Sequence, residues 1–248
     1  APTEDRARVL KYGAMFAVFD RLGDIRNQGL GEQGIFYNGT RYLSEMQVRL
    51  WKERPLLLSS MIEPNNFLFT ADLANLDVSR GGSVVIHRGT LHILRSRFLW
   101  QSSCYEELKF VNYGMDTLPV PLNLCFAADF HDIFQVRGMS RERAGRMLEP
   151  EVSRDTLVLG CEGLDRITRR TRIRCEPVPT DISGEEMNFR FELKPKGELT
   201  ISFEMTFEGE TKPSKEYSYP QASRRAETEM KTLTRSLPQV ASSNSRFN

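Results

Sequence analysis

The sequence predicts an all-β protein: a large antiparallel two-sheet β-sandwich of the supersandwich kind, followed by a short C-terminal helix or linker. Three observations carry that expectation. Apolar and polar residues alternate with period 2 through most of the chain, Gly-centred turns punctuate the alternating runs, and few intervals show helical periodicity. Parallel strands need crossovers of about a dozen residues or more, so many short strands without them pair antiparallel. One-sided alternation gives each sheet a buried face and a wet face, and two sheets closing on each other bury both apolar faces.

Residues 14–19 form the first strand candidate, and Leu22-Gly23-Asp24 turns the chain after it. Tyr42, Met46, Val48 and Leu50 then alternate with polar neighbours. Candidates follow at 56–62 and 66–73, with a turn at Arg80-Gly81-Gly82. The next are 90–99 and 103–113, the latter ending at the turn Asn112-Tyr113-Gly114. Val120, Leu122, Leu124 and Phe126 repeat the pattern, and 132–137, 156–161 and 166–175 are read as further strands. Leu199, Ile201, Phe203, Met205 and Phe207 show it most cleanly, after Met187, Phe189, Phe191 and Leu193. Lys194-Pro195-Lys196-Gly197 between them reads as a hairpin loop.

Two stretches break the pattern. Residues 139–155 are charged and are expected to form a loop or lid. Alternation stops near 209, residues 221–235 read as a short polar helix, and Ala241–Asn248 reads as a linker. The expected organisation is a sandwich over 1–220 and a helix with linker over 221–248.

Composition excludes several classes of function. The 248 residues carry 34 Lys+Arg against 33 Asp+Glu, a formal +1. No global field favours nucleic acid or an anionic membrane. No run approaches ~18 apolar residues, so no membrane-spanning helix is expected. Ala1–Arg6 lacks the apolar segment of a signal peptide, and a cytoplasmic protein is expected. Cys104, Cys125, Cys161 and Cys175 lie 21, 36 and 14 residues apart without a C-x-x-C pair. Free thiols are therefore expected, with no metal site and no need of disulfides. Gly29, Gly31 and Gly34 have dinucleotide-loop spacing but lack a preceding parallel strand and a following helix, so no cofactor is expected. Asn38-Gly39-Thr40 fits a glycosylation sequon but reads better as a Gly turn.

The candidate chemistry is sparse. Of the histidines His87, His92 and His131, the first two are five residues apart and would face opposite ways on a strand. A His-based aldose epimerase would need a histidine working with a carboxylate. Asp129-Phe130-His131-Asp132 is the densest polar cluster in an apolar setting. Glycoside hydrolysis uses two carboxylates. A strand would point Asp129 and Asp132 to opposite faces, and only a turn or helical stretch would bring them together. The competing reading is that they cap and brace the backbone at a strand end.

Arginine supplies 26 of the 34 basic residues, with ten between 137 and 174 against six acids. Arg170, Arg172 and Arg174 share one strand face. Without interleaved aromatics for base stacking, that row reads as a solvated or ion-paired face. Trp51, Trp100, Tyr37, Tyr42, Tyr105 and Tyr113 could stack on sugar rings. Trp51, beside Lys52-Glu53-Arg54 at a predicted turn, is the one expected to be exposed.

Three stretches taken together carry a resemblance. They are Tyr37-Asn38-Gly39-Thr40-Arg41-Tyr42-Leu43-Ser44 running on to Arg54-Pro55-Leu56-Leu57-Leu58-Ser59-Ser60; Ala128-Asp129-Phe130-His131-Asp132-Ile133-Phe134-Gln135-Val136-Arg137-Gly138; and Gly163-Leu164-Asp165-Arg166-Ile167-Thr168-Arg169-Arg170-Thr171. In this order they resemble the N-terminal β-sandwich domain of bacterial amylo-α-1,6-glucosidase-type proteins, the glycogen debranching enzymes. The likeness runs from about Val9-Leu10-Lys11 to the end. The chain departs from the family pattern at Asn38-Gly39, where relatives usually carry Asp before Thr-Arg.

The resemblance implies that the sandwich precedes an (α/α)6 barrel holding the catalytic carboxylates, with Ser243–Asn248 similar to the linker entering it. It therefore implies a fragment inactive alone, with no catalytic residue, metal ligand or cofactor. Arg41, Asp129, Asp132, Arg137 and Asp165 stand in the recurring polar motifs, which implies that they organise strand ends and loops facing the barrel. Tyr42 and Trp51 join them as ligand-binding or domain-interface candidates. The expected partners are the catalytic domain of the same polypeptide and an α-glucan, with no nucleic acid and no membrane. Two rival expectations are a self-sufficient carbohydrate-binding module and an epimerase-like enzyme using His92 or His131.

Overall fold

Alternating apolar residues need a second apolar surface to cover them, and that requirement organises the whole chain. The computed structural model describes residues 7–26, 31–63, 65–209 and 215–236. The chain begins with β1 (Arg8–Tyr12), β2 (Met15–Phe19), β3 (Gly34–Tyr37) and β4 (Thr40–Leu43), which pair in that order into a four-stranded antiparallel sheet. There follow β5 (Glu45–Leu50), β6 (Leu56–Ile62), β7 (Leu68–Ala74), the two-stranded ribbon β8 (Val78–Arg80) and β9 (Ser83–Ile86), then β10 (Leu91–Trp100), β11 (Ser103–Asn112) and β12 (Leu118–Ala127). A helical turn, α1 (Ile133–Val136), leads to β13 (Arg146–Val152), β14 (Thr156–Glu162) and β15 (Thr168–Glu176). Last come β16 (Asp181–Ser183), β17 (Glu186–Leu193), β18 (Glu198–Glu208) and the helix α2 (Tyr219–Ser236).

One layer is an eight-stranded sheet ordered β13-β14-β15-β18-β11-β10-β7-β6. The other layer consists of the β1–β4 sheet and a four-stranded sheet ordered β16-β17-β12-β5. An isolated bridge from Ile25 to Met46 and the bond from Ser44 N to Ala127 O at 2.8 Å stitch these two pieces together. The layers meet through aromatic contacts. Phe126 and Phe189 lie against Phe203, Phe191 against Phe110, Phe19 against Phe69 and Tyr42 against Phe207. Each fully buried side chain of this size contributes roughly 1.5–3 kcal/mol. The expected all-β sandwich is thus the observed one.

On the outer face of the large sheet, the alternation that sends Arg97 and Leu99 inward sends Phe98 and Trp100 outward. Helix α2 covers them with Ala222 and Ala226, which are four residues apart and buried. Glu229 anchors the helix by accepting from Trp100 Nε1 at 2.8 Å and Tyr12 Oη at 2.6 Å. Of the C-terminal expectations, the helix is present over Tyr219–Ser236, and the linker falls outside the described residues.

Three sequence expectations are corrected. Residues 132–137 are the helical turn α1 and its caps, because Asp132 accepts from Phe134 N and Gln135 N at 2.9 and 3.0 Å. The 139–155 stretch contains the edge strand β13, whose register shifts between Leu148 and Glu151. An edge strand packed weakly on both faces need not alternate, and it tolerates Pro150. Lys194–Gly197 does not close a hairpin, since β17 pairs with β12 and β16 whereas β18 pairs with β11 and β15. Alternation shows which side of a strand is buried and leaves its partner open.

Candidate functional site

The second and third resemblance motifs meet the first at one end of the sandwich. Asn38 and Gly39, with φ of 47° and 78°, form the tight left-handed turn that closes a two-residue hairpin between β3 and β4. That geometry explains why Asn-Gly stands there. Beyond β12 the chain turns sharply at Phe130, which adopts φ 52°. It is then fastened to the hairpin by Arg41 N to His131 O at 2.8 Å and Ile133 N to Gly39 O at 3.0 Å. The β14–β15 turn brings in Asp165, which accepts from Ile167 N at 3.0 Å.

These segments enclose a cleft of about 320 Å³ that Asp129, His131, Asp132, Asp165 and Arg169 all line. The turn-and-helix geometry therefore puts Asp129 and Asp132 into one site. Each aspartate is held by an arginine. Arg41 grips both oxygens of Asp129 from beneath, with Nε to Oδ1 at 3.1 Å, and is itself buried. Arg141 bonds to Asp132 Oδ2 while Oδ1 caps α1. Arg169 makes a forked pair with Asp165 at 3.1 and 2.8 Å. Hydrogen bonds from Arg169 and then from Ile167 N hold the Asp165 carboxyl down to about 2. His131 Nδ1 lies 3.3 Å from Asp129 Oδ2. A charge-assisted fork of this kind fixes a carboxylate as an acceptor in one geometry.

A second cavity of about 360 Å³ abuts the first and shares Thr40 and Arg169 with it. Tyr37, Asn38 and Tyr42 line it. Tyr42 is 4% exposed and rests against Phe130 and Phe207. Burial above all pushes its hydroxyl up to about 12.

Residues 10–204 match the sequence family described as the N-terminal domain of (some) glycogen debranching enzymes. The chain belongs to that family. No curated protein sequence matches this debranching-enzyme N-terminal domain. Among solved structures it is similar to a candidate kojibiose phosphorylase from the human microbiome, at TM-score 0.50 and 12% identity, over 88% of this chain and 30% of that one. The domain thus spans about 30% of that protein's length, and the likeness is one of fold. A candidate aldose 1-epimerase from Escherichia coli K12 gives TM-score 0.45 and 11% identity, over 82% of this chain and 99% of that one.

Of the seven candidate residues, the domain gathers Arg41, Tyr42, Asp129, Asp132 and Asp165 around these two cavities. Arg137 does not line them; it is exposed at the C-terminus of α1, its N–H bonded to Ile133 O at 3.2 Å. Trp51 is also elsewhere. It occupies a tight turn with Lys52, at φ 48° and 72°, that folds its ring back onto the core beside a separate cavity of about 220 Å³. The expected exposure of Trp51 is therefore corrected to a half-buried position. Of the six aromatics considered for sugar stacking, Tyr113 alone is strongly exposed, at 68%. Among the described residues no group of three or more His, Cys, Asp or Glu could hold a metal.

Sequence reasoning passed over Arg141 and Arg169 as partners, and it passed over a second ionic cluster entirely. Arg95, Arg97 and Glu106 are 0% exposed between the layers of the domain. Arg95 Nε donates to Glu106 Oε1 at 2.8 Å and its NH1 to Asp24 Oδ1 at 2.7 Å. Arg97 holds Glu106 Oε2 and lies over the Phe19 ring, 4.7 Å from its centroid. Arg54 continues the chain of pairs to Asp24 and Asp20. The signal was available: Arg95 and Arg97 occupy inward positions between Ile93 and Leu99, and Glu106 sits between Cys104 and Leu108.

Proposed function

We propose that this domain is a non-catalytic module of a glycogen-debranching glycoside hydrolase of the amylo-α-1,6-glucosidase type. Its cleft end would pack on the helical catalytic domain of the same cytoplasmic polypeptide and shape the entrance for α-glucan. The sandwich with the start of α2 would form the module, and the end of α2 would lead into the catalytic domain.

One observation carries the reading. Every carboxylate in the cleft is engaged by an arginine, and Asp165 is held near 2. A glycosidase acid needs a carboxyl raised toward neutrality, in an apolar or like-charged setting. Arginine-pinned aspartates suit braced loops and a specific polar docking surface.

The test joins gene and enzyme. The coding sequence is expected to continue past Asn248 into a helical domain with two well-placed carboxylates. The present chain alone is expected to release no glucose from a branched dextrin. A reading frame ending near Asn248, or glucose release by this chain alone, would overturn the proposal.

A second reading has its own observation. His131 and His92 each lie within 3.3 Å of an aspartate, Asp129 and Asp72 respectively. An aldose epimerase could use such a pair as acid and base. Catalysed mutarotation of glucose that disappears in His131→Ala or His92→Ala would favour it.

A further inference from the structure

Thr40 and Arg169 form a ridge with a cavity on either side, and the two cavities differ in chemistry. On one side lie Asp129, Asp132 and Asp165 with Arg141, Arg143 and Arg169. Three acids against three bases leave no net charge, so neither an anion nor a cation is favoured. A neutral ligand rich in hydroxyls, each both donor and acceptor, matches paired carboxylates and guanidinium groups. On the other side, Tyr37 and Tyr42 supply ring surface, and Asn38 and Thr40 supply an amide and a hydroxyl.

Tyr42 adds an independent indication. The ring is almost wholly buried, but the hydroxyl is not among the buried polar atoms that lack a partner; it opens on the cavity that Tyr42 lines. A hydroxyl that opens on a cavity can both donate to and accept from a ligand hydroxyl there. Gly209 lines the same cavity, and a Cβ there would stand 2.8 Å from the Tyr42 hydroxyl. The lack of a side chain at 209 keeps that hydroxyl accessible.

We infer that the two cavities are adjoining subsites for consecutive units of a neutral oligosaccharide, which lies across the Thr40–Arg169 ridge with one unit bonded to the Tyr42 hydroxyl. This rests on the glucan-facing role proposed above and adds where the sugar lies and how many units are held.

Titrating the chain with glucose, maltose, maltotriose and isomaltotriose by calorimetry tests it. Affinity is expected to rise about tenfold or more from glucose to a trisaccharide, the effect of one well-made added contact. Tyr42→Phe, which keeps the packed ring, and Gly209→Ala are each expected to remove most of that gain and to leave glucose binding unchanged. Absent sugar binding, equal affinity for all lengths, or a gain surviving both substitutions would overturn the inference. These results are separable from the domain-packing proposal, which is read from the gene and from glucose release.

Discussion

Arg95 and Glu106 form an ion pair inside the sandwich, Nε to Oε1 at 2.8 Å, with neither side chain reaching solvent. Adjacent strands β10 and β11 present them toward the same interior, where Arg97 takes the other carboxylate oxygen. Removing one partner of a buried pair leaves an uncompensated charge, which costs about 3–5 kcal/mol. Glu106→Ala would strand the Arg97 guanidinium and leave Arg95 with Asp24 alone. It is expected to lower stability by at least that amount, seen as a fall in the urea midpoint. A loss below about 1 kcal/mol, the scale of a surface pair, would mean that the site is hydrated rather than dry.

The seating of α2 depends on Glu229. Glu229→Gln keeps a carbonyl oxygen for Trp100 Nε1 and turns the second contact round, the amide donating to Tyr12 Oη, so what is lost is the charge assistance of both bonds, about 1 kcal/mol. The urea midpoint and Trp100 fluorescence report this. Burial, and then Glu229, push the Tyr12 hydroxyl up to about 12. A folded value above the unfolded one of about 10 means that the contribution is complete below pH 10 and lost as pH rises through 12. Glu229→Gln is expected to move Tyr12 ionisation to lower pH in an ultraviolet titration.

Asp165 gives the opposite sign. Its folded value of about 2 lies below the ordinary carboxyl, so its contribution is present above about pH 4 and lost as pH falls toward 2. The side chain is 46% exposed, so the pair with Arg169 contributes no more than about 1 kcal/mol. Arg169→Ala is expected to return the Asp165 midpoint toward its ordinary value in a carbon-detected NMR titration, with little change in thermal stability. An unmoved midpoint would show that the Ile167 amide alone holds it down.

Gly34 protects the Arg41–Asp129 clamp. A Cβ at 34 would stand 2.5 Å from Arg41 Cδ and 2.9 Å from Leu43 O, and the latter is backbone that cannot step aside. Gly34→Ala is expected to cost about 1–3 kcal/mol, as overpacking does, and to loosen the loop that carries His131. A lower thermal midpoint with a shifted His131 imidazole resonance would register both effects. An unchanged His131 resonance would separate the clamp from the loop.

Strands were legible wherever one face is wet, because alternation is local and reports only which side is buried. Leu199–Phe207 and Val120–Phe126 needed nothing else. The same property made the partners of β17 and β18 unreadable, since a buried face fits any other. It also hid β13, which has no consistently buried face. In the site, Asp129, His131 and Asp132 stood out as a polar cluster in an apolar run. Their convergence with Asp165 and the arginines did not, because contacts across 88 residues, as between Arg41 and Asp129, follow from how two sheets close. The sequence by itself therefore determined an antiparallel sandwich and the motifs that resemble a debranching-enzyme domain. Only the tertiary structure decided which of those motifs share a cleft and that each aspartate there meets an arginine. The first depends on near-neighbour spacing, the second on chain segments far apart in sequence being packed together.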